Sequence, residues 1–143
     1  MAAKNPSGVA TRDIRSVLVH ASGRDWGTVD DLLDVPHHCV GRNGLGVHFV
    51  LCNGNAVSGG NAYDPEWDGK IQEARPVEQA GFHSGDAVTD TTSVAILLVG
   101  SGDGRYTPMQ ISALENLIHL LKVDTVASHE CAGFDAGAWW DGD

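Results

Sequence analysis

Ser93-Val-Ala-Ile-Leu-Leu-Val-Gly100, with the Thr107-Pro-Met-Gln110 that follows it, carries the reading of the fold. An apolar run without a charge, closed by glycine, fits a strand buried on both faces. Ser101-Gly-Asp-Gly104 is turn-rich. Thr107 then suits an N-cap, Pro108 the first helical position and Gln110 the third, the pattern of a capping box. Ile111, Leu114, Leu117, Ile118 and Leu121 recur at spacings of three and four, which predicts an amphipathic helix laid against a sheet. Asp124-Thr-Val-Ala-Ser-His129 reads as a further short strand that ends in an imidazole. A strand, a covering helix and a strand with histidine at its tip form a scaffold that can hold a site. Val94, Ile96, Leu98, Ile111, Leu114, Leu117, Ile118 and Val126 are expected to share one core.

Around this stretch, 143 residues suffice for one domain with a single core. A net charge of −10 makes a nucleic-acid backbone or an anionic membrane surface a poor partner, and it favours solubility. Cys39, Cys52 and Cys131 are odd in number and form no CxxC, so free thiols or one metal ligand are expected rather than a disulfide framework. Met1-Ala-Ala-Lys-Asn-Pro-Ser7 lacks the apolar core of a signal peptide, and no run is long enough to span a membrane.

In chain order, residues 1–14 read as a polar arm and residues 15–143 as the domain. Arg15-Ser-Val-Leu-Val-His20 is a short strand ending in histidine. Thr28 to Val35 is expected to be a short helix stopped by Pro36. His37, His38 and Cys39 are adjacent, and neighbours rarely aim at one ion, so they are read as loop residues lining a groove with Trp26. Gly46-Val-His-Phe-Val-Leu-Cys52 alternates as a strand, Asn53-Gly-Asn55 as a hairpin turn, and Ala56-Val-Ser58 as the start of the return. Gly59 to Gln72, rich in Gly, Asn, Asp and Pro, reads as an irregular insertion. Ser84 to Thr92 reads as a loop, His119 as a partly exposed helical residue, and Trp139 and Trp140 as a lid on the core.

His20, His83 and His129 each stand where an apolar segment meets a loop, a pattern that points to a zinc or catalytic centre. Val17-Leu-Val-His-Ala-Ser22, Gly46-Val-His-Phe-Val-Leu51 with Asn53-Gly-Asn-Ala-Val57, Arg75 to His83, Ser93 to Gly100, Tyr106-Thr-Pro-Met-Gln110 and Ser128-His-Glu130 together carry a resemblance. In that order and spacing they resemble the type 2 N-acetylmuramoyl-L-alanine amidases, the group of the amidase-type phage lysozymes and peptidoglycan recognition proteins. The resemblance spans roughly residues 15–140.

It implies an α/β fold, with a mixed central β-sheet flanked by helices. It also implies a zinc ion held by two histidines and a cysteine or aspartate, which activates water to cleave the amide between the lactyl group of muramic acid and L-alanine. By position His20 and His129 match the two histidine ligands. Cys131, sharing the face of His129 on a continuing strand, or Asp135, through a tight turn, is the third. His83 matches a histidine beside the metal, where it would help polarise the substrate carbonyl. Val47 stands where phage members carry a catalytic tyrosine, and no lysine follows Lys122. With the site so altered, zinc binding is expected to be weak or absent, and hydrolysis well below that of a complete family member.

The implied partner is peptidoglycan. The implied setting is a phage or prophage protein made in the host cytoplasm without a signal peptide and acting at the cell wall or in the virion. The competing expectation is a non-catalytic virion component, assembled with other virion proteins, that keeps the amidase fold.

Overall fold

A computed structural model describes residues 13–32, 46–57, 63–81, 83–84 and 86–140. Its centre is a five-stranded mixed sheet built from β1 (Ser16–Ala21), β2 (Phe49–Asn55), β3 (Tyr63–Glu73), β4 (Ser93–Leu98) and β5 (Thr125–Ser128), in the order β3-β2-β4-β1-β5. β2, β4, β1 and β5 run parallel, and β3 is antiparallel at one edge. All six residues of β4 are buried, as expected for a central strand with no polar face.

Among the described residues, four α-helices accompany the sheet: α1 (Val29–Leu32), α2 (Ala87–Thr92), α3 (Pro108–Leu121) and α4 (Ala136–Trp140). α3 begins as its sequence predicts. Thr107 accepts from the Gln110 N–H, the Gln110 side chain accepts from the Thr107 N–H, and Pro108 opens the first turn. Its Leu114, Leu117 and Ile118 pack with Val17, Val19, Val94, Ile96 and Leu98 on one face of the sheet, and Val126 lies partly buried against them. Ile111 is only half-buried. The inward position at that end of the helix belongs to Gln110, which is fully buried and donates from Nε2 to the carbonyls of Leu51 and Val99. The opposite face carries Leu32, Val47, Val50, Cys52, Ala95, Leu97 and Val99.

Several segments differ from the sequence reading. Asn53-Gly-Asn55 lies inside β2, where the pairing with β3 shifts register on either side of Asn53 and Gly54 adopts φ +98°. The return strand is β3 itself, within the stretch read as an insertion. As an edge strand it is mostly exposed or half-buried on both faces, which permits its polar composition. Ser84 to Thr92 contains α2, nucleated by Asp86 accepting from the Thr89 N–H. Ile14, assigned to the arm, packs against the core. Of the expected helix from Thr28, residues 28–32 fall within the described residues, and Val29–Leu32 of these are helical. His37, His38 and Cys39 lie outside them. Trp139 and Trp140 belong to α4, partly buried on the core, with the exposed His119 ring 4.9 Å from that of Trp140.

Replacing Leu117 with Ala should destabilise the domain by roughly 2–5 kcal/mol through lost burial and a residual cavity. Gln110→Ala removes a donor from the Val99 carbonyl and one of the two donors of the Leu51 carbonyl, which still accepts from the Val99 N–H. It also removes half of the capping box, so a loss of about 2 kcal/mol is expected. Urea unfolding checks both. A Gln110→Ala midpoint equal to that of the wild type would show that those carbonyls find another donor.

Candidate metal centre

Parallel pairing sets the site. β1 and β5 match Val17 with Val126 and Val19 with Ser128, and the His129 N–H donates to the Val19 carbonyl at 2.9 Å. The ladder therefore continues one residue past Ser128, bringing His129 alongside His20 on the next strand. Their rings lie 5.4 Å apart and 26° from parallel. Both histidines stand at the carboxyl ends of their strands, the edge where open α/β sheets build their sites.

Cys131 joins them by a route different from the expected continuing strand. The strand stops, and the chain makes a single 3-10 turn, Glu130–Ala132, capped by His129, whose Nδ1 accepts from the Cys131 N–H at 3.1 Å. That bond requires an unprotonated Nδ1 on His129. The turn swings the thiol back toward β1. Cys131 Sγ lies 3.9 Å from His20 Nδ1 and accepts from the Ala21 N–H at 3.4 Å. Gly133 closes the turn at φ +78°, and a Cβ there would collide with the backbone of Gly102 and Gly104.

Among the described residues, His20, His129 and Cys131 form a group of potential metal ligands, with one donor atom from each within 4.8 Å of the others. Tetrahedral zinc at ordinary bond lengths separates a nitrogen and a sulfur ligand by about 3.5 Å, so the spacing of His20 Nδ1 and Cys131 Sγ needs only a slight contraction. Two imidazoles and a thiol are also a donor set that zinc favours. Asp135 is used otherwise: it is exposed, and its Oδ1 accepts from the Ala138 N–H at the start of α4.

His83 lies beneath His20. Its side chain is fully buried, with Nδ1 2.9 Å from His20 Nε2 and Nε2 3.2 Å from Ser93 Oγ. Asp90, also buried, accepts from the His83 and Ser84 N–H groups and the Ser84 hydroxyl, and its Oδ1 is 3.4 Å from His83 Nε2. Asp90 and Ser93 escaped the sequence reading. The available signal was Asp86 as a cap, which makes Asp90 and Ser93 a turn and nearly two turns later face the same side.

His48 is likewise fully buried: Nδ1 accepts from the Ala95 N–H and Nε2 donates to the Gln79 carbonyl, so its ring continues the sheet ladder where β2 begins. Val47 beside it is buried among apolar neighbours. Burial pushes the Cys52 thiol up to about 11, which leaves it an inert core residue on the opposite face from α3. Trp26 is half-buried with the Arg24 guanidinium 4.0 Å over its ring.

A comparison with protein-family models finds no match. An endolysin of Klebsiella phage KP32 is 31% identical over 90 residues, covering 52% of this chain and 58% of the endolysin. Among solved structures, AmpDH3 from Pseudomonas aeruginosa superposes with a TM-score of 0.56 at 18% identity, over 90% of this chain and 57% of that one. The N-acetylmuramyl-L-alanine amidase AmiD from E. coli, in complex with the substrate anhydro-N-acetylmuramic acid-L-Ala-D-gamma-Glu-L-Lys, gives 0.52 at 18% identity over 81% of this chain and 48% of that one. The chain thus spans about half to three-fifths of the length of these relatives. The structural likeness establishes the expected fold, a mixed sheet flanked by helices as in the peptidoglycan amidases.

Gly133→Ala tests how the cluster is held. It should destabilise the protein by more than about 1 kcal/mol, through a left-handed backbone and a backbone clash together, and loosen Cys131. Thermal unfolding and thiol labelling of a protein retaining only Cys131 read the two effects. Unchanged melting and labelling would mean that the turn tolerates another backbone path.

Proposed function

We propose that this chain is a phage amidase-fold domain directed at bacterial peptidoglycan, holding one zinc ion through His20, His129 and Cys131. The observation that carries the reading is the convergence of those three donors at the carboxyl edge of the sheet. The fold, and the likeness to a phage endolysin and to an amidase solved with a muramyl peptide, support the substrate class.

The target bond is the amide between the lactyl group of muramic acid and L-alanine. When bound, zinc supplies a Lewis acid that polarises a carbonyl oxygen and makes water nucleophilic near neutral pH. The chain's own residues supply the rest. His20 and His129 present ring nitrogens from adjacent strands, and the Ala21 N–H stabilises negative charge on Cys131 Sγ. Proton handling is where the chain is poor. Val47 is apolar and buried, and no lysine follows Lys122. Slow hydrolysis follows. The same two features favour the second reading, a virion component that binds wall fragments and zinc without turnover.

Purified protein supplied with zinc is expected to bind one ion per chain, weakly. His20→Ala, His129→Ala and Cys131→Ser should each lose most of it, whereas Asp135→Ala should keep it. Muropeptide release from purified sacculi should expose new L-alanine amino termini at a rate at least tenfold below that of a tyrosine- and lysine-bearing amidase, and the three ligand variants should abolish it. Zinc content unaffected by all three variants would sink the metal assignment. Zinc bound with no amide cleavage would select the virion reading.

A further inference from the structure

The buried polar groups behind His20 determine where its proton sits. Ser93 Oγ has one hydrogen, and it is donated to the Thr89 carbonyl at 2.6 Å. Toward His83 Nε2, at 3.2 Å, the hydroxyl can therefore only accept. Asp90 Oδ1, 3.4 Å from the same nitrogen, also accepts. Two acceptors facing one ring nitrogen place a proton on His83 Nε2. In a neutral imidazole that leaves Nδ1 bare. The His20 Nε2, 2.9 Å from this bare nitrogen, must then be an N–H. Neutral His20 consequently carries its lone pair on Nδ1, the atom 3.9 Å from Cys131 Sγ.

We propose that His83, oriented by Ser93 and Asp90, is a positioning residue that locks His20 in its Nε2–H tautomer and so delivers a bare Nδ1 to the cluster with His129 and Cys131. Its consequence for metal binding rests on the zinc reading above. The tautomer itself does not. The role differs from polarising a substrate carbonyl, because the His83 side chain is fully buried and its Nδ1 and Nε2 face His20 and Ser93. It resembles the general use of outer partners to fix a histidine ligand, here with a second imidazole between the carboxylate and the ligand. The fit around His83 is close: a Cβ on Gly81 would crowd its ring and collide with the Gly46 carbonyl.

The test is long-range 1H–15N correlation spectroscopy of the histidine rings in the metal-free full-length chain, paired with zinc affinity by chelator competition. In the wild type, His20 and His83 should both give the Nε2–H pattern. His83→Leu removes the acceptor, so His20 should become a mixture of tautomers and zinc affinity should fall about 10- to 100-fold. His83→Asn can present a side-chain oxygen near the former Nδ1 and should restore most of both. A wild-type His20 protonated at Nδ1 overturns the proposal whatever the variants do, which covers a His83→Leu chain that fails to fold. So does a folded His83→Leu with wild-type affinity and tautomer, or a His83→Asn no better than His83→Leu. Predicted tautomers in a protein that takes up no zinc would uphold this inference and sink the functional reading instead.

Discussion

The hydrogen bond from the His129 N–H to the Val19 carbonyl is the contact on which the centre depends. It carries the parallel ladder between β1 and β5 one step beyond the last strand residue, and parallel neighbours present their side chains to the same face. A slip of one residue would turn His129 to the opposite face and dismantle the cluster. Register is therefore where fold and chemistry meet. It is held by the α3 face, because Val17, Val19 and Val126 must meet Leu114, Leu117 and Ile118.

The second constraint is the reversal after His129. A strand running on would have carried Cys131 away from β1, whereas the capped 3-10 turn returns it to His20 and the Ala21 N–H. Two neighbouring backbones, at Gly102 and Gly104, leave room only for glycine at the end of that turn. The site is thus assembled by backbone geometry around two strand tips. On the inner side His83, Ser93 and Asp90 form a satisfied polar network, which a buried site needs if its histidines are to keep one orientation.

Much of this was legible in the sequence, for identifiable reasons. The uncharged run of β4 and the box Thr107-Pro-Met-Gln110 are local signals that tertiary packing reinforces. His20 and His129 stood out because each ends an apolar segment, and resemblance linked them. Other features depend on contacts that sequence spacing does not encode. β3 lacks alternation because an edge strand with both faces partly wet has no dry side to mark. After Ala87, α2 is made of Thr, Val and Asp, weak helix formers, and needs its Asp86 cap and its docking on β4. The sequence marks Gln110 as a capping residue, and its second role beneath two strand ends follows only from the packing of the helix. Which of Cys131 and Asp135 lies beside the two histidines is not encoded in their spacing, because it turns on a 3-10 turn.

In the function we propose, His20, His129 and Cys131 act as one metal site, from donor atoms that the fold already brings together. Cobalt(II) substitution tests it directly, since cobalt reports both its geometry and a thiolate ligand in its absorption spectrum. Strong visible ligand-field bands of a tetrahedral ion, with a thiolate-to-cobalt charge-transfer band lost in Cys131→Ser, are the predicted result. Weak octahedral bands without charge transfer, unchanged by Cys131→Ser, would contradict it.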